Sequence, residues 1–338
     1  MNARNSQKGM TLVELMVAMV LGLIVIGGVV SVLVSNKRSY TTNEGLSQVQ
    51  ETARTAFELI ARDVRQAGGT GCDNARRMSN VLKPGTAWWL TWNSILGYDE
   101  GTADPAVTGG AAVTNRVEAD TDTLHLMGID GAMLPLTSHN AAGGVLQVNA
   151  ATTPFAVNDI MLVCDFDHST TFQASAYDAT NRTVSHAADT GTPGNCSQGL
   201  GYPQDCTNAT GNVYAFPQNS QIGRLYAVNW YIGNNGRAAD GGRSLYRQRL
   251  TNNGVVVTEE IVSGVTDMQI TYGVNASDTI STATTLGTGS AAWSPVNSVF
   301  ITLRVRSTDQ RISTSSALNE GRIERPFTYV ITLRNRVL

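Results

Sequence analysis

The sequence has few charged residues, which make up 15% of its 338 positions, and lysine is scarce. With a formal net charge of −3, it lacks the basic surface expected of a nucleic-acid-binding protein. Its four cysteines form no CxxC pair and no Cys/His cluster with metal-ligand spacing. Glycine, threonine, asparagine, serine and alanine are abundant, which favours a strand- and loop-rich exported protein over a helical enzyme. This length allows one large domain or two modest ones, with a sizeable core.

Recognisable catalytic and ligand-binding motifs are also missing. None of the four histidines accompanies a nucleophile motif, and we interpret His125 as a structural residue of a strand. The glycine run at residues 68–71 follows a helix and lacks the Lys-Ser/Thr of a phosphate loop. The Asp-Phe-Asp-His segment at 165–168 is compatible with a metal or acid/base cluster, but a solvated turn is favoured. Four residues considered for a calcium site lack EF-hand spacing: Asn115, Asp120, Asp122 and Asp130. We therefore predict no enzyme activity, no metal and no cofactor.

One long hydrophobic run stands at the N-terminus, from residue 15 to residue 34. At about 1.5 Å per residue, a helix of this length spans the roughly 30 Å hydrocarbon core of a membrane. A cleaved secretory peptide would be shorter and followed by a small-x-small site. A plain anchor agrees with Arg4 and Lys8 on the cytoplasmic side, although residues 37 and 38 are also basic. Neither interpretation explains Glu14, because a carboxylate inside hydrocarbon costs several kcal/mol.

The residues around Glu14 form a motif, Lys8-Gly9-Met10-Thr11-Leu12-Val13-Glu14, that resembles the class III signal of type IV prepilins. In that family the first mature residue is often Phe, where this chain has Met10. The resemblance implies that a membrane peptidase cuts between Gly9 and Met10 and that Met10 is then N-methylated. It also implies that Glu14 neutralises the terminal amine of a neighbouring subunit, forming a buried ion pair on assembly.

Beyond residue 40, apolar residues recur at steps of three and four and define one face of an amphipathic helix. Glycines at 68 and 69 end the pattern. We predict that the membrane helix continues, with a kink near residues 44–45, into a stalk helix that packs on a soluble head. The apolar positions are Leu46, Val49, Ala53, Ala56, Phe57, Ile60, Val64 and Ala67.

The rest of the chain shows short apolar or alternating runs separated by turn signals, which predict strands. Long Gly/Ser/Thr/Ala-rich stretches at about 101–115, 187–212 and 275–292 are interpreted as surface loops of one domain. The pattern favours an antiparallel sheet with one face on the stalk helix. Whether its outer edge accepts a partner's strand or is protected stays open. The predicted strands are 124–127, 145–148, 160–163, 225–232, 255–257, 268–274, 299–305 and 329–333.

Further motifs resemble those of PilW-like minor pilins of type IV pili and bracket nearly the whole chain, with a divergent centre from about 75 to 220. The segments are 60–72 (IARDVRQAGGTGC), 120–124 (DTDTL), 244–247 (SLYR), 262–273 (VSGVTDMQITYG), 293–305 and 327–336. The resemblance implies an α+β, pilin-like fold, with a long N-terminal helix packed on an antiparallel β-sheet head with long loops. It implies four parts: a cytoplasmic leader at 1–9, a transmembrane and polymerisation helix at 10–35, an amphipathic stalk helix at 36–69 and a periplasmic head at 70–338.

The same resemblance implies a structural function. The protein would join a priming complex of minor pilins at the bacterial inner membrane, start pilus assembly and lie near the fibre tip, supporting adhesion and twitching motility. Its partners would be other minor pilins, a tip adhesin, the major pilin and the prepilin peptidase, with no direct contact with nucleic acid. The alternatives are a minor pseudopilin of a type II secretion system and, less favoured, an anchored periplasmic enzyme.

An even number of cysteines in a head outside the cytoplasm predicts disulfides. Four cysteines allow three pairings. Cys196 and Cys206 lie in one Gly/Pro/Asn-rich loop and can close a short ring, which leaves Cys72 with Cys164 by elimination. The PilW-like proteins often have Asp-Cys where this chain has Cys-Asp at 164–165, so the pairing of Cys164 stays open.

Overall fold

The structure, a computed structural model, describes residues 11–69, 72, 77–188, 191–251, 254–274, 279–310, 312 and 321–336. A 55-residue helix, α1 (Leu12–Gln66), is followed by a head built mainly of strands, with two four-residue helices, α2 (Ala283–Leu286) and α3 (Ser290–Trp293). This architecture confirms the predicted α+β, pilin-like fold. The strands are β1 (Met78–Asn80), β2 (Ile95–Tyr98), β3 (Thr123–Asn140), β4 (Val145–Val148), β5 (Ile160–Cys164), β6 (Ser169–Gln173), β7 (Ala176–Asp178), β8 (Thr183–Ser185), β9 (Gln221–Asn234), β10 (Arg243–Leu250), β11 (Val256–Ser263), β12 (Val265–Val274), β13 (Thr279–Ser281), β14 (Val296–Arg306) and β15 (Glu324–Thr332).

Helix α1 has two parts that differ in their surroundings. Every residue from 11 to 40 is exposed, whereas the second part buries one face against the head. At about 1.5 Å per residue, the whole helix is roughly 80 Å long. The buried positions recur every three or four residues, as the apolar stripe predicted: Gly45, Val49, Ala53, Ala56, Ile60, Ala61, Asp63 and Val64.

A four-stranded antiparallel sheet, which we call the stalk sheet, packs one face on α1. Its strand order is β13-β12-β14-β15. The ring of Phe57 on α1 stacks on that of Tyr329 on β15, with centroids 4.0 Å apart. Apolar residues of β12, β14 and β15 share a core with the buried face of the helix: Met268, Ile270, Val299, Ile301, Leu303 and Ile331. The predicted arrangement of one sheet face on the helix therefore holds for this sheet.

The second sheet has eleven strands, with the path β1-β6-β5-β9-β3-β4-β8-β7. Strand β10 lies between β9 and β11, and β2 pairs with β3. The pair β1–β6 is parallel, and the other strand pairs of the described residues are antiparallel. The head is therefore a mixed structure of two sheets, where the sequence pattern predicted one antiparallel sheet.

The second sheet extends past the end of α1 and builds a lobe of its own. The helix ends where the Gly68 N–H donates to the Met127 carbonyl at 2.8 Å, and β3 continues beyond that point. We call the part formed by β4–β8 and the neighbouring loops the distal lobe. Its hydrophobic core contains no residue of α1 and includes Val81, Leu136, Leu146, Val148, Met161, Val163, Phe172, Val184, Phe216 and Ile222. Most of the divergent centre of the sequence lies in this lobe.

Candidate functional site

The predicted cleavage and methylation sites, Gly9 and Met10, lie outside the described residues. The described chain begins at Thr11, the N-cap of α1. The Thr11 hydroxyl accepts a hydrogen bond from the Glu14 N–H at 3.3 Å. In return, the N–H and the hydroxyl of Thr11 both donate to Glu14 Oε2 at 3.0 Å. Thr11 and Glu14 thus form a capping box that satisfies donors left over at the start of a helix.

This capping box gives Glu14 a local role that was readable in the sequence. A Thr-x-x-Glu spacing before an apolar run is a recognised helix-start pattern. A carboxylate in the first helical turn also interacts favourably with the positive end of the helix dipole. Part of the cost of placing Glu14 in this position is therefore offset within its own chain. Pairing of Glu14 with a neighbour's amine stays a prediction.

The segment after Glu14 presents apolar side chains on all sides of the helix. Among the described residues, α1 is the one helix that is long and apolar enough to cross a membrane, and its most apolar part is not buried in the head. Leu23 is 69% exposed and Ile24 is 66% exposed. In water such a surface would be unfavourable by about 25 cal/mol per Å² of apolar area. The segment therefore needs lipid or other helices around it.

Gly45 is the first residue of α1 that is buried against the head. This glycine is fully surrounded, and a Cβ added to it would overlap the side chain of Ile312. The Thr42 hydroxyl donates to the Ile312 carbonyl at 3.0 Å, and the Gln48 amide donates to Thr308 Oγ1 at 2.9 Å. The helix runs through residues 44 and 45 without interruption. Close approach of the chain at Ile312 explains this glycine, where the sequence suggested a kink.

Asp63 joins the stalk helix to the head through a buried carboxylate. Its side chain is fully buried, and the indole N–H of Trp230 donates to Asp63 Oδ2 at 3.1 Å. The guanidinium of Arg247 lies 3.7 Å from the same oxygen and 5.6 Å from the centre of the Trp230 ring. Arg62 approaches the other oxygen at 3.4 Å. One helix residue thus contacts both β9 and β10, and its single charge faces two cations.

Glu259 completes this contact on the head side. Arg247 donates to Glu259 Oε2 at 2.7 Å, and Arg249 donates to Glu259 Oε1 at 3.2 Å. These guanidinium hydrogen bonds, those of Arg247 first, hold the pKa of Glu259 below its ordinary value. We call Asp63, Trp230, Arg247 and Glu259 the junction network. No motif in the sequence predicted this network, although an aspartate between Ile60 and Val64 on an otherwise apolar face was a visible signal.

The C-terminal residues hold the other end of α1. The Asn335 amide donates to the carbonyl of Ala67, the C-cap of the helix, at 3.1 Å. The guanidinium of Arg336 is mostly buried beside it, and this burial lowers the pKa of Arg336 to about 10. Its partners are the carbonyls of Trp293 and Val296 and the hydroxyl of Ser94. Asn335, Arg336 and the end of the helix are thereby fixed to the same part of the head.

The structure brings the four cysteines together in two disulfide pairs. Cys72, just after the helix, is joined to Cys164 at the end of β5, with Cα atoms 6.0 Å apart. Cys196 and Cys206 are joined within one loop of the distal lobe, with Cα atoms 5.2 Å apart. Both separations lie in the range that a disulfide requires. The first pair links the end of the stalk helix to the distal lobe.

The residues considered for calcium binding do not converge. Asp120 pairs with Arg243 at 3.1 Å, and Asp130 pairs with Arg224 at 2.7 Å. Asp122 accepts backbone N–H groups of two other segments, and burial raises its pKa to about 6. Within the described residues, no group of three or more His, Cys, Asp or Glu side chains is arranged to hold a metal ion.

The histidines occupy structural positions. His125 is buried and lies 2.9 Å from Asp104 Oδ1. Burial alone would raise the pKa of Asp104, but the interaction with His125 holds it below its ordinary value. In the turn at 165–168, Asp165 accepts the N–H groups of Asp167 and His168. Asp165 and His168 are buried, so the solvated turn that the sequence favoured is wrong for these two residues. The same turn leaves Phe166 87% exposed.

Two histidines of the distal lobe form a neutral pair. The Phe216 N–H donates to His139 Nδ1 at 3.0 Å, so the proton of His139 is on Nε2. That nitrogen lies 3.0 Å from His186 Nε2, and His186 Nδ1 lies 2.9 Å from the Gln198 carbonyl. Burial lowers the pKa of His139 to about 4. Burial, and the repulsion that a protonated His139 would exert, lower the pKa of His186 to about 3.

Two family models match the chain. The prokaryotic N-terminal methylation motif matches residues 4–30, and the model described as type IV pilus-assembly protein W, PilW, matches residues 229–335. No curated protein and no solved structure matches it. The PilW match begins at the end of β9 that carries Trp230 and continues through the whole stalk sheet to Asn335, so it contains the head side of the junction network and the contact at the helix end. Together with the methylation motif at residues 4–30, this match supports the recognition of the chain as a PilW-like minor pilin of a type IV pilus.

Proposed function

We propose that this minor pilin joins other minor pilins in a priming complex at the inner membrane and thereby starts polymerisation of the pilus. The single observation that carries the proposal is the division of α1 into an exposed apolar part and a part packed on the head. The exposed part offers a surface for lipid before assembly and for neighbouring helices afterwards. The packed part fixes the head relative to that surface.

The two ends of the helix suggest how the parts are placed. In this proposal residues 1–9 are a cytoplasmic leader removed after Gly9, residues 10–35 span the membrane, residues 36–69 form the stalk, and residues 70–338 form a periplasmic head. Glu14 then meets the methylated amine of Met10 of a neighbour. The capping box with Thr11 supports this role, because it holds the carboxylate at the helix start before a partner arrives.

The distal lobe supports a position toward the fibre tip. It shares no core with α1 and lies past the end of the helix that is opposite the membrane segment. In the proposed complex this lobe faces the tip adhesin, while the stalk sheet faces other pilins. The role is structural rather than catalytic; turnover of a substrate by the purified protein would contradict it.

A deletion strain tests the proposal against its alternative. We expect loss of surface pili and of twitching, with secretion of exoproteins unchanged, and restoration by the full-length gene. The opposite result, normal pili with lost secretion, would identify a pseudopilin of a type II secretion system. Co-purification of the tagged protein with other minor pilins, identified by mass spectrometry, checks the priming complex directly.

Substitutions at the helix start separate the capping role of Glu14 from its pairing role. Glu14→Gln keeps an acceptor for the Thr11 N–H but removes the charge, whereas Thr11→Val removes the hydroxyl and keeps the charge. If the charge pairs with a neighbour's amine, Glu14→Gln should block incorporation into pili while Thr11→Val only weakens it. Equal incorporation of Glu14→Gln and wild type would show that the charge has no pairing role.

A further inference from the structure

Strand β15 is an outer strand of the stalk sheet with an unusual composition for that place. It is nine residues long and pairs with β14 on one side. In the part of the chain that the structure describes, no strand pairs with its other side. Its last six residues, Phe327-Thr328-Tyr329-Val330-Ile331-Thr332, are uncharged and are all aromatic or β-branched. Segments of this kind form strands readily and are normally shielded at an edge.

The ladder shows which backbone groups of β15 face outward. The Leu333 N–H donates to the Asn297 carbonyl at 2.8 Å, which makes these two a hydrogen-bonded pair. Because such pairs alternate in an antiparallel ladder, residues 327, 329 and 331 also bond to β14. The N–H and C=O groups of Thr328, Val330 and Thr332 therefore point to the outer edge. Among the described residues these groups have no hydrogen-bond partner, and Val330 is 56% exposed.

The other long outer strand of the head is defended differently. Strand β11 pairs with β10 on one side, and its middle carries Glu259 and Glu260. Both carboxylates are held by arginines of the head. Charged residues in the middle of an outer strand discourage pairing with another chain. In β15, Pro326 and Arg325 protect only the beginning of the strand, and the outward positions after them carry no such protection.

The direction of β15 decides what can occupy its edge. Gly45 lies near Ile323, Phe57 stacks on Tyr329, and Asn335 binds the helix end at Ala67, so β15 runs along α1 in the same direction. Antiparallel pairing of two identical strands needs a two-fold axis perpendicular to them. That axis would point the two α1 helices in opposite directions, which two copies inserted in one membrane with the same polarity do not allow. A second copy of this chain could therefore pair here only in parallel, which is less stable per residue than antiparallel pairing, so it is a poor occupant.

We propose that the outer edge of β15 accepts an extended strand from a different protein of the pilus assembly. The matching segment is about five or six residues long, uncharged and β-branched or aromatic, and it bonds to the backbone of Thr328, Val330 and Thr332. Arg325 near the start of β15 and Arg334, two residues after its end, are exposed, and among the described residues neither forms an ion pair. Carboxylates at the ends of the incoming segment would complement them. The identification of the donor as a pilus protein rests on the proposed function. The observation that the edge is open is independent of that function.

Hydrogen exchange of the full-length wild-type protein provides the first test. The amides of Thr328, Val330 and Thr332 should exchange about tenfold more slowly in the complex co-purified with other pilus proteins than in the protein alone. The amides of residues 327, 329 and 331 are bonded to β14 in both states and serve as the internal control. Equal exchange of the outward amides in the two states would overturn the proposal. Protection that appears in the protein alone and grows with its concentration would show that a second copy is the occupant, which also overturns it.

Proline substitution provides the second test. Val330→Pro removes one outward N–H without removing a bond to β14, and the chain already has proline at the outward position 326. The matched control, Val330→Thr, keeps the N–H and the preference for a strand. We expect Val330→Pro to lower recovery of the partner about tenfold and Val330→Thr to leave it within about twofold of wild type. If Val330→Pro unfolds, Thr332→Lys at the same edge, which keeps the backbone, replaces it.

The outcomes separate this inference from the proposed function. Normal recovery of the pilus proteins by folded Val330→Pro and by Thr332→Lys would overturn the edge proposal and leave the priming role intact. Normal piliation of the deletion strain would overturn the priming role, whatever the exchange data show at β15.

Discussion

Replacing Asp63 by alanine removes the carboxylate on which the stalk helix and the head converge. The indole N–H of Trp230 then lies in the core without an acceptor, while Arg247 keeps Glu259 as a partner. Hydrogen bonds to a charged group are worth about 1.5–3 kcal/mol, and breaking a buried charged contact costs about 3–5 kcal/mol. Because Arg247 stays paired, we expect a loss near the lower limit, about 3 kcal/mol in the free energy of unfolding.

Two further variants resolve which part of the contact matters. Asp63→Asn keeps an acceptor for the indole and should lose about 1 kcal/mol. Trp230→Phe leaves the carboxylate without its hydrogen bond and should lose about 2 kcal/mol. The double variant Asp63→Ala, Trp230→Phe should lose less stability than the two single variants lose together. We expect this difference, the coupling energy, to be about 1–2 kcal/mol.

Guanidinium unfolding of the full-length protein in detergent, followed by circular dichroism, measures these differences. Glu58→Ala is the matched control on the exposed face of the same helix, since the Arg54–Glu58 pair is 80% and 67% exposed. It should lose no more than about 0.5 kcal/mol. A loss for Asp63→Ala no larger than that of Glu58→Ala would refute the role assigned to the junction network.

Three other predictions test separate parts of the molecule. Gly9→Val should leave the precursor uncleaved, seen as a larger band on a gel, and normal processing would refute the assigned site. Gly45→Val should overlap Ile312 and lower stability by about 1–3 kcal/mol, and Gly45→Val with Ile312→Ala should recover most of it, read from the melting temperature. Because burial keeps His139 and His186 neutral in the folded state, the unfolded chain takes up their protons first as the pH falls below about 6.5. The stability that the two neutral histidines contribute is fully present above that pH and decreases toward pH 4. A variant with both histidines changed to Gln should therefore lose less stability than wild type between about pH 6.5 and pH 4. Identical profiles of stability against pH would count against the neutral pair.

The long helix was predictable because its signals are local. An apolar run and a stripe with steps of three and four need no knowledge of the rest of the chain. The strands that were predicted from sequence, such as 299–305 within β14, have the same advantage of a short apolar or alternating pattern. Strand β10 was not predicted as a strand, since its charged residues resemble a surface segment until Arg247 and Arg249 are seen to pair with Glu259.

The candidate site was predictable where a motif carries it and not where tertiary contacts do. Gly9, Met10 and Glu14 were proposed from a contiguous pattern, and their roles stay predictions. The capping box of Thr11 was visible in the same residues. The junction network joins Asp63 to residues more than 160 positions away, so no local pattern announces it. The parallel pair β1–β6 and the separate core of the distal lobe likewise depend on how distant segments meet.

The disulfide between Cys72 and Cys164 transmits mechanical force directly between the distal lobe and the end of α1. Cys72 lies just after the end of α1, and Cys164 lies at the end of β5, a strand of the distal lobe. A pull on Cys164 passes through the disulfide to Cys72, so the chain between these two cysteines, which are 92 positions apart, cannot be drawn out. At about 3.5 Å per residue, that bond withholds roughly 300 Å of chain from extension. A head that is pulled at the distal lobe would therefore keep its length until this disulfide is reduced.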